Sequence, residues 1–344
     1  MIIHTKSYAR VGLMGNPSDG FYGKTISCAI RNFWAEVTLW ESPTLQIIPH
    51  KEFDPMEFSN LKKLHEIASC DGYYGGLRLL YATCKKFYEY CLNHDVKLSD
   101  SKFTITYNTN IPRQVGLGGS SAIIGALTKA LMEFHNIGYD IMPKPMLPHF
   151  LLSVEEDELQ IRAGLQDRVI QVYGGVVYMD FNKELMETQG HGNYEYIDSQ
   201  LLPRLFLAYT KHSSGESGRF HNPIRFRFEQ GDREVIDAMK TFADYTQTAR
   251  EALEKKDYEN FGFLMNCNFN LRRRLYGDAA IGVDNLKMIQ IARDYGLPAK
   301  FCGSGGAIVG IFQTQEQFES LQKCLKNEDF ECLEVVVDVP VIEP

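Results

Sequence analysis

Residues 112–122 read Pro112-Arg113-Gln114-Val115-Gly116-Leu117-Gly118-Gly119-Ser120-Ser121-Ala122, a glycine-rich loop that runs into a helix. Residues 103–107 before it alternate apolar and polar as a strand does, and residues 123–134 after it carry apolar side chains at helical spacing. The loop is therefore expected at a helix N-terminus. Unpaired N–H groups and the positive end of the helix dipole favour a phosphate there, and glycines let the backbone approach an anion closely. Two hydroxyls, Ser120 and Ser121, stand ready for phosphate oxygens or a metal. A nucleoside triphosphate suits this chemistry, although Gly-Gly-Ser-Ser also makes an ordinary turn and helix cap.

Spacing excludes two better known glycine motifs. The pattern G-x-x-x-x-G-K-[ST] is approached at Gly23-Lys24-Thr25, but Ser18 stands where its first glycine belongs. The dinucleotide pattern G-x-G-x-x-G begins at Gly116 and Gly118 and fails at Ser121.

The 344 residues allow one large domain or two ordinary ones. With 44% hydrophobic and 23% charged residues, the composition is that of a globular protein with a substantial core. No apolar run reaches the roughly 20 residues that span a bilayer, and the N-terminus lacks the apolar stretch of a signal peptide, so a cytoplasmic location is expected. Eight cysteines show no Cys-x-x-Cys pair and no zinc spacing, which fits reduced thiols. A net charge of −8 argues against nucleic acid as a partner. Nothing in the sequence reports an oligomeric state.

The pattern predicts strands at 7–13 and 34–39, helices at 62–69 and 75–93, then the strand, loop and helix (121–135) described above. On the second helix Leu77, Leu80, Tyr81, Cys84, Tyr88 and Cys91 form one apolar stripe. Helices at 150–159 and around 164–173 follow, and a strand at 175–181. Gly190, Gly192 and Asn193 mark a turn. The second half shows a strand at 205–209, helices at 234–255, 258–274 and 285–295, a strand at 307–312, a helix at 315–326 and a strand at 334–339. A boundary within 185–203 divides the chain into domains 1–190 and 191–344.

Three segments now come together: residues 112–122, Arg10-Val11-Gly12-Leu13-Met14-Gly15-Asn16-Pro17-Ser18-Asp19, and Lys300-Phe301-Cys302-Gly303-Ser304-Gly305-Gly306-Ala307. In order and spacing they resemble the three motifs of the small-molecule kinases typified by galactokinase, homoserine kinase, mevalonate kinase and phosphomevalonate kinase (GHMP kinases). Further segments, Gly72-Tyr73-Tyr74-Gly75-Gly76, Asn110 to Gln114, Ala163 to Val169 and Asn268 to Arg273, resemble the plant-type glucuronokinase branch. The resemblance implies an α+β, two-domain fold, with an N-terminal domain like ribosomal protein S5 domain 2 and a ferredoxin-like C-terminal domain. It also implies ATP and Mg2+ as cofactors and phosphorylation of the anomeric hydroxyl of D-glucuronate. Alternatives are a kinase for galactose, galacturonate or a heptose, or a sugar or nucleotide sensor on the same fold.

Roles carried over by this resemblance fall on named positions. Pro112, Gly116, Leu117, Gly118, Gly119, Ser120, Ser121 and Ala122 would cradle the nucleotide, with Gly303, Ser304 and Gly305 closing over the phosphates. Ser120 and a carboxylate from Glu155-Glu156-Asp157-Glu158 would hold the metal; registering back from Asp167 selects Glu156, and a shift of one residue selects Glu155. Asp167 matches the aspartate that orients or deprotonates the substrate hydroxyl, and Arg10 a basic position facing the reacting groups.

Where galactokinases carry Gly-Glu-His-x-Asp, this chain has Gly15-Asn16-Pro17-Ser18-Asp19, which keeps the aspartate and replaces the glutamate with a neutral Asn16. Loss of that charge suits a sugar with its own carboxylate. Asn16 and Asp19 are thus substrate candidates, with Arg113, Arg272, Arg273 and Lys211 as partners for the carboxylate. Asn32, Phe33 and Trp34 have the chemistry of a base pocket, but at strand positions such residues read first as core.

Overall fold

The computed structural model describes residues 1–71, 75–211 and 221–339, which fall into two compact units that each draw on several stretches of chain. Unit 1 comprises residues 1–9, 33–111 and 118–172, and unit 2 comprises 10–32, 112–117 and Tyr173 onward. Gly72, Tyr73 and Tyr74, which belong to one of the matching segments above, lie outside the described residues.

Two strands serve both units, β1 (Ile2–Met14) and β2 (Lys24–Glu41). In β2 every second residue from Phe33 to Leu39 is buried, whereas 25–30 are buried without interruption. Alternation marks a sheet with one covered face, and continuous burial one covered on both. Only the alternating half carries the period-2 signal, which is why the strand expected at 34–39 begins ten residues earlier, at Lys24.

Unit 1 continues with β3 (Gln46–Ile47), α1 (Leu61–Asp71), α2 (Leu77–Asn93), β4 (Phe103–Thr109), α3 (Gly119–Phe134), α4 (Leu147–Ser153), a π-helical turn (Val154–Glu158) and α5 (Leu165–Tyr173). Its strands lie in the order β3-β4-β2, with β2 and β4 antiparallel and Val37 opposite Tyr107. Helix α3 is buried on nearly every side, and Gly125 brings its backbone close to Ser7 and Leu151. The buried face of α2 is Leu80, Thr83, Phe87 and Cys91, so the expected stripe is rotated: Tyr81 and Tyr88 are 58% and 60% exposed. The small Ala82 and Thr83 permit the close approach that the tyrosines would block.

In unit 2 the first half of β2 pairs with β5 (Val176–Asp180), followed after α6 (Lys183–Gln189) by β6 (Asn193–Ile197). The stretch expected as a turn at 190–193 thus ends α6 at a left-handed Gly190 and starts a strand. Next come β7 (Leu205–Thr210), α7 (His221–Glu229), α8 (Arg233–Glu254), α9 (Tyr258–Tyr276), α10 (Asp278–Ile281), α11 (Val283–Asp294), β8 (Ala299–Phe301), β9 (Ala307–Ile311), α12 (Gln315–Asn327) and β10 (Phe330–Glu334). The four strands β10-β7-β9-β8 form an antiparallel sheet whose core includes Phe206, Phe269, Met288, Phe301 and Leu321. The expected strand at 334–339 is corrected to β10, which pairs Cys332 with Ala208; among the described residues beyond it, only Val337 bridges, to Ile30.

Among the described residues no helix is long and apolar enough to cross a membrane. The cysteines whose side chains are described are all free thiols, and burial pushes Cys302 up to about 12. Thr314 closes a capping box with Gln317 at the start of α12. Thr314→Ala is expected to lower unfolding free energy by about 1 kcal/mol in urea titration.

Candidate active site

Helix α3 opens on Gly118, which is left-handed at φ 75°, as is Gly116 at φ 69°. A Cβ on Gly116 would lie 2.7 Å from the carbonyl oxygen of Gly305, so both dihedral and space require glycine. Three successive carbonyls of this loop are drawn into the protein. Arg10 Nη1 donates to Gly116 O, the Arg10 backbone N–H to Leu117 O at 3.1 Å, and Gln171 Nε2 to Gly118 O at 2.7 Å. In a planar trans peptide C=O and N–H point in opposite directions. The N–H groups of Leu117, Gly118 and Gly119 are therefore turned away from these anchors, as an anion nest requires.

The 303–305 loop follows the same rule within unit 2. Cys302 O accepts from Gly12 N at 2.8 Å and from Arg10 Nη1 at 3.2 Å; Arg272 donates to Gly303 O at 2.6 Å and to Ser304 O at 3.2 Å. A Cβ on Gly303 would come within 2.4 Å of Gly116 O and 2.7 Å of the Arg10 guanidinium. Asn285 Oδ1 accepts from Gly306 N at 2.9 Å and closes the turn.

These bonds revise several expected roles. Arg10 is 4% exposed and bonded to loop carbonyls, which makes it a strut for both loops rather than a group presented to the reacting atoms. Arg272 lies in α9 one turn after Asn268, on the same inward face, and both are buried. Its Nη1 and Nη2 serve the loop carbonyls. Burial lowers the Arg272 pKa; the charges of Tyr276 and Asp19 oppose this and that of Arg10 adds to it.

Arg273 is rotated by about 100° on the helix and forms an exposed ion pair with Asp278 at 2.6 Å. Lys211 pairs likewise with Asp329 at 3.0 Å and Glu331 at 3.5 Å. Arg113 is half-buried on the phosphate loop, and Asp19 half-buried in a short 3-10 turn, Ser18–Phe21.

Asn16 is 2% exposed, and its Oδ1 accepts from the buried ammonium of Lys300. Its place in the motif is kept while its side chain is turned inward as a partner of Lys300. Lys300 also donates to Gly12 O and Phe301 O, both at 2.7 Å. Asn32 holds Glu334 O and Val336 N at 2.9 and 2.8 Å, and Phe33 is buried, so these two are structural as well.

In unit 1, Ser120 Oγ donates to Glu155 Oε1 at 2.6 Å, and Glu155 forms a buried ion pair with Arg168. Glu156 instead accepts from Ala163 N at 3.3 Å. Of the two carboxylates that registering from Asp167 allows, Glu155 is the one that meets Ser120. The π-helical turn Val154–Glu158 widens the helix and changes which residue of the acidic run faces inward. Asp167 sits in the first turn of α5, 3.6 Å from Arg168, with a side chain 15% exposed. Gln171, four residues on and on the same face, is a loop anchor that the sequence reading missed; the i, i+4 spacing from Asp167 was its only signal.

No cluster of three or more His, Cys, Asp or Glu among the described residues has metal-binding geometry. A hydroxyl beside a single carboxylate does suit Mg2+, which takes few protein oxygens and completes its shell with waters and phosphate.

A glycine nest at a helix start, with a serine and an acid beside it and an aspartate in the first turn of α5, is the equipment of a phosphotransferase. Residues 78–175 match the N-terminal domain of GHMP kinases and residues 249–332 their C-terminal domain, and the chain belongs to that family. It is 46% identical to glucuronokinase 1 of Arabidopsis thaliana over 307 residues, 89% of this chain and 84% of the relative. It is 47% identical to probable glucuronokinase 2 of the same plant over 309 residues, 90% and 84% of the two chains. The fold also matches Lactococcus lactis galactokinase complexed with galactose, at TM-score 0.75 and 15% identity over 98% of this chain and 93% of that one.

Lys300 tests the interior of the site. Lys300→Met leaves three buried oxygens without their donor and is expected to cost about 2–4 kcal/mol in urea unfolding. Burial pushes the Lys300 pKa well below its ordinary 10.5, so the unfolded chain binds more protons between those two values. Wild-type stability relative to the variant should therefore rise with pH across that window.

Proposed function

We propose that this chain is an ATP-dependent sugar-1-kinase that phosphorylates the anomeric hydroxyl of D-glucuronate. The observation that carries the reading is the carbonyl-anchored glycine loop leading into α3 with Ser120 on Glu155, in a chain 46% identical to a glucuronokinase over 89% of its length. We read residues 1–190 and 191–344 as its N- and C-terminal domains, in line with the family matches that fall on either side of that division.

Each described group has work in that reaction. The N–H groups at Leu117, Gly118, Gly119 and the α3 terminus stabilise phosphate oxygens, whose charge shifts during transfer. Gly303, Ser304 and Gly305 add backbone dipoles of the same kind. Asp167 accepts a hydrogen bond from the anomeric hydroxyl, aligns its oxygen with the γ-phosphorus and takes its proton as the new P–O bond forms and the bond from the γ-phosphorus to the bridging oxygen of ATP breaks, so that ADP leaves. Ser120 and Glu155 would hold Mg2+, which supplies charge neutralisation on the phosphates. Arg10, Arg272 and Gln171 keep the loops in shape and touch no reacting atom. Asp19 accepts hydrogen bonds from sugar hydroxyls.

ADP release from Mg-ATP should be measured with D-glucuronate, D-galacturonate, D-glucose, D-galactose and mevalonate, and the product located by phosphorus NMR. Selective formation of an anomeric phosphate from glucuronate is the expected result. Preference for a neutral sugar would replace the substrate, and binding without turnover would replace the enzyme with a sensor. Asp167→Asn is expected to reduce kcat by roughly 10²- to 10⁴-fold with the KM for ATP little changed.

A further inference from the structure

We propose that Arg225 recognises the carboxylate of the uronate and so sets specificity against neutral sugars; the inference rests on the glucuronokinase reading above. Arg225 lies in α7, half-buried beside the turn Ser18–Phe21 that carries Asp19. Its Nη2 makes one long contact, 3.5 Å to Gly20 O, and the guanidinium sits over the Phe21 ring at 5.8 Å. No carboxylate among the described residues pairs with it.

Arg227, two residues further along the helix, is served by Asp232 at 2.7 Å and Glu234 at 2.6 Å. Among the described residues, acidic partners neutralise Arg227 and none pairs with Arg225. A guanidinium carries five N–H groups in a planar fork that matches a carboxylate edge to edge.

The position of Arg225 is fixed from behind. Ile224 is 4% exposed and Phe228 meets Phe21 edge-on at 5.0 Å, both packed with Val235, Met239 and Phe242 of α8. The guanidinium is thereby held next to Gly20, the residue after Asp19. A carboxylate on this turn that accepts hydroxyl hydrogens and a guanidinium from α7 that reaches the same turn at Gly20 and Phe21 form a recognition pair for a polyhydroxy acid. Three of the four candidates from the sequence have partners elsewhere: Arg272 holds loop carbonyls, Arg273 pairs with Asp278, and Lys211 with Asp329 and Glu331, while Arg113 stays half-buried on the glycine loop. A neutral sugar would leave Arg225 partly desolvated and without a counter-charge, which disfavours it.

The test compares wild type, Arg225→Gln and Arg225→Lys as full chains, with D-glucuronate and D-glucose at saturating Mg-ATP. In Arg225→Gln, kcat/KM for glucuronate is expected to fall roughly 10- to 100-fold, mainly through KM, while glucose is unchanged or improved. The KM for ATP and the melting temperature should stay near wild type. Arg225→Lys, which keeps the charge and loses the fork, should fall between and serves if the glutamine variant does not fold. An unchanged glucuronate-to-glucose ratio in either folded variant overturns the inference and leaves the kinase reading standing. Wild-type preference for a neutral sugar overturns both.

Discussion

A peptide group cannot offer its oxygen and its N–H to the same side, and both glycine loops in this protein exploit that constraint. Gly116, Leu117, Gly118, Cys302, Gly303 and Ser304 all have their carbonyls tied to other parts of the chain. Four of those six accept from the guanidinium of Arg10 or Arg272, and a charged donor makes a stronger, better-directed bond than a neutral amide. The face that we propose binds phosphate is thus built from behind. Its shape comes from bonds within the protein, so a phosphate need not organise it on arrival.

Cations used in this way carry a cost that the fold has to offset. Burial disfavours the charged forms of Arg272 and Lys300, and both also feel the charge of Arg10. Lys300 meets the cost with three oxygen acceptors, and Arg272 with two carbonyls and the ring faces of Tyr276 and Phe301 at 5.4 and 4.9 Å. Asn16 belongs to this economy. A neutral oxygen at that point holds the Lys300 ammonium without contributing a second buried charge of its own.

The glycine loop and α3 were legible in the sequence because their signals are local: glycines, adjacent hydroxyls and a helical apolar period within some twenty residues; the family was legible because three such short segments, at 10–19, 112–122 and 300–307, stand in order along the chain. The struts were not. Arg10 reaches carbonyls 106 and 292 positions away, and no short window relates them. The bond from Lys300 to Asn16 was equally hidden, since the two lie 284 positions apart. Arg272 and Arg273 are neighbours in sequence with opposite fates, settled only when α9 packs one of them inward. The tyrosines of α2 misled for a related reason, since a helical stripe gives a period and not the face that small residues open to a neighbour.

The acidic run at 155–158 shows how a single wide turn divides labour among side chains of one chemical kind. Glu155 is directed inward to Ser120 and Arg168, while Asp157 and Glu158 reach outward to Lys86 and Lys85 of α2, at 3.1 and 2.6 Å. The outer pairs form a clasp exposed to solvent ions, and the inner carboxylate does not. Dissolved salt, which loosens the clasp, therefore has a route by which to act on the rotational setting of a buried acid that it never contacts.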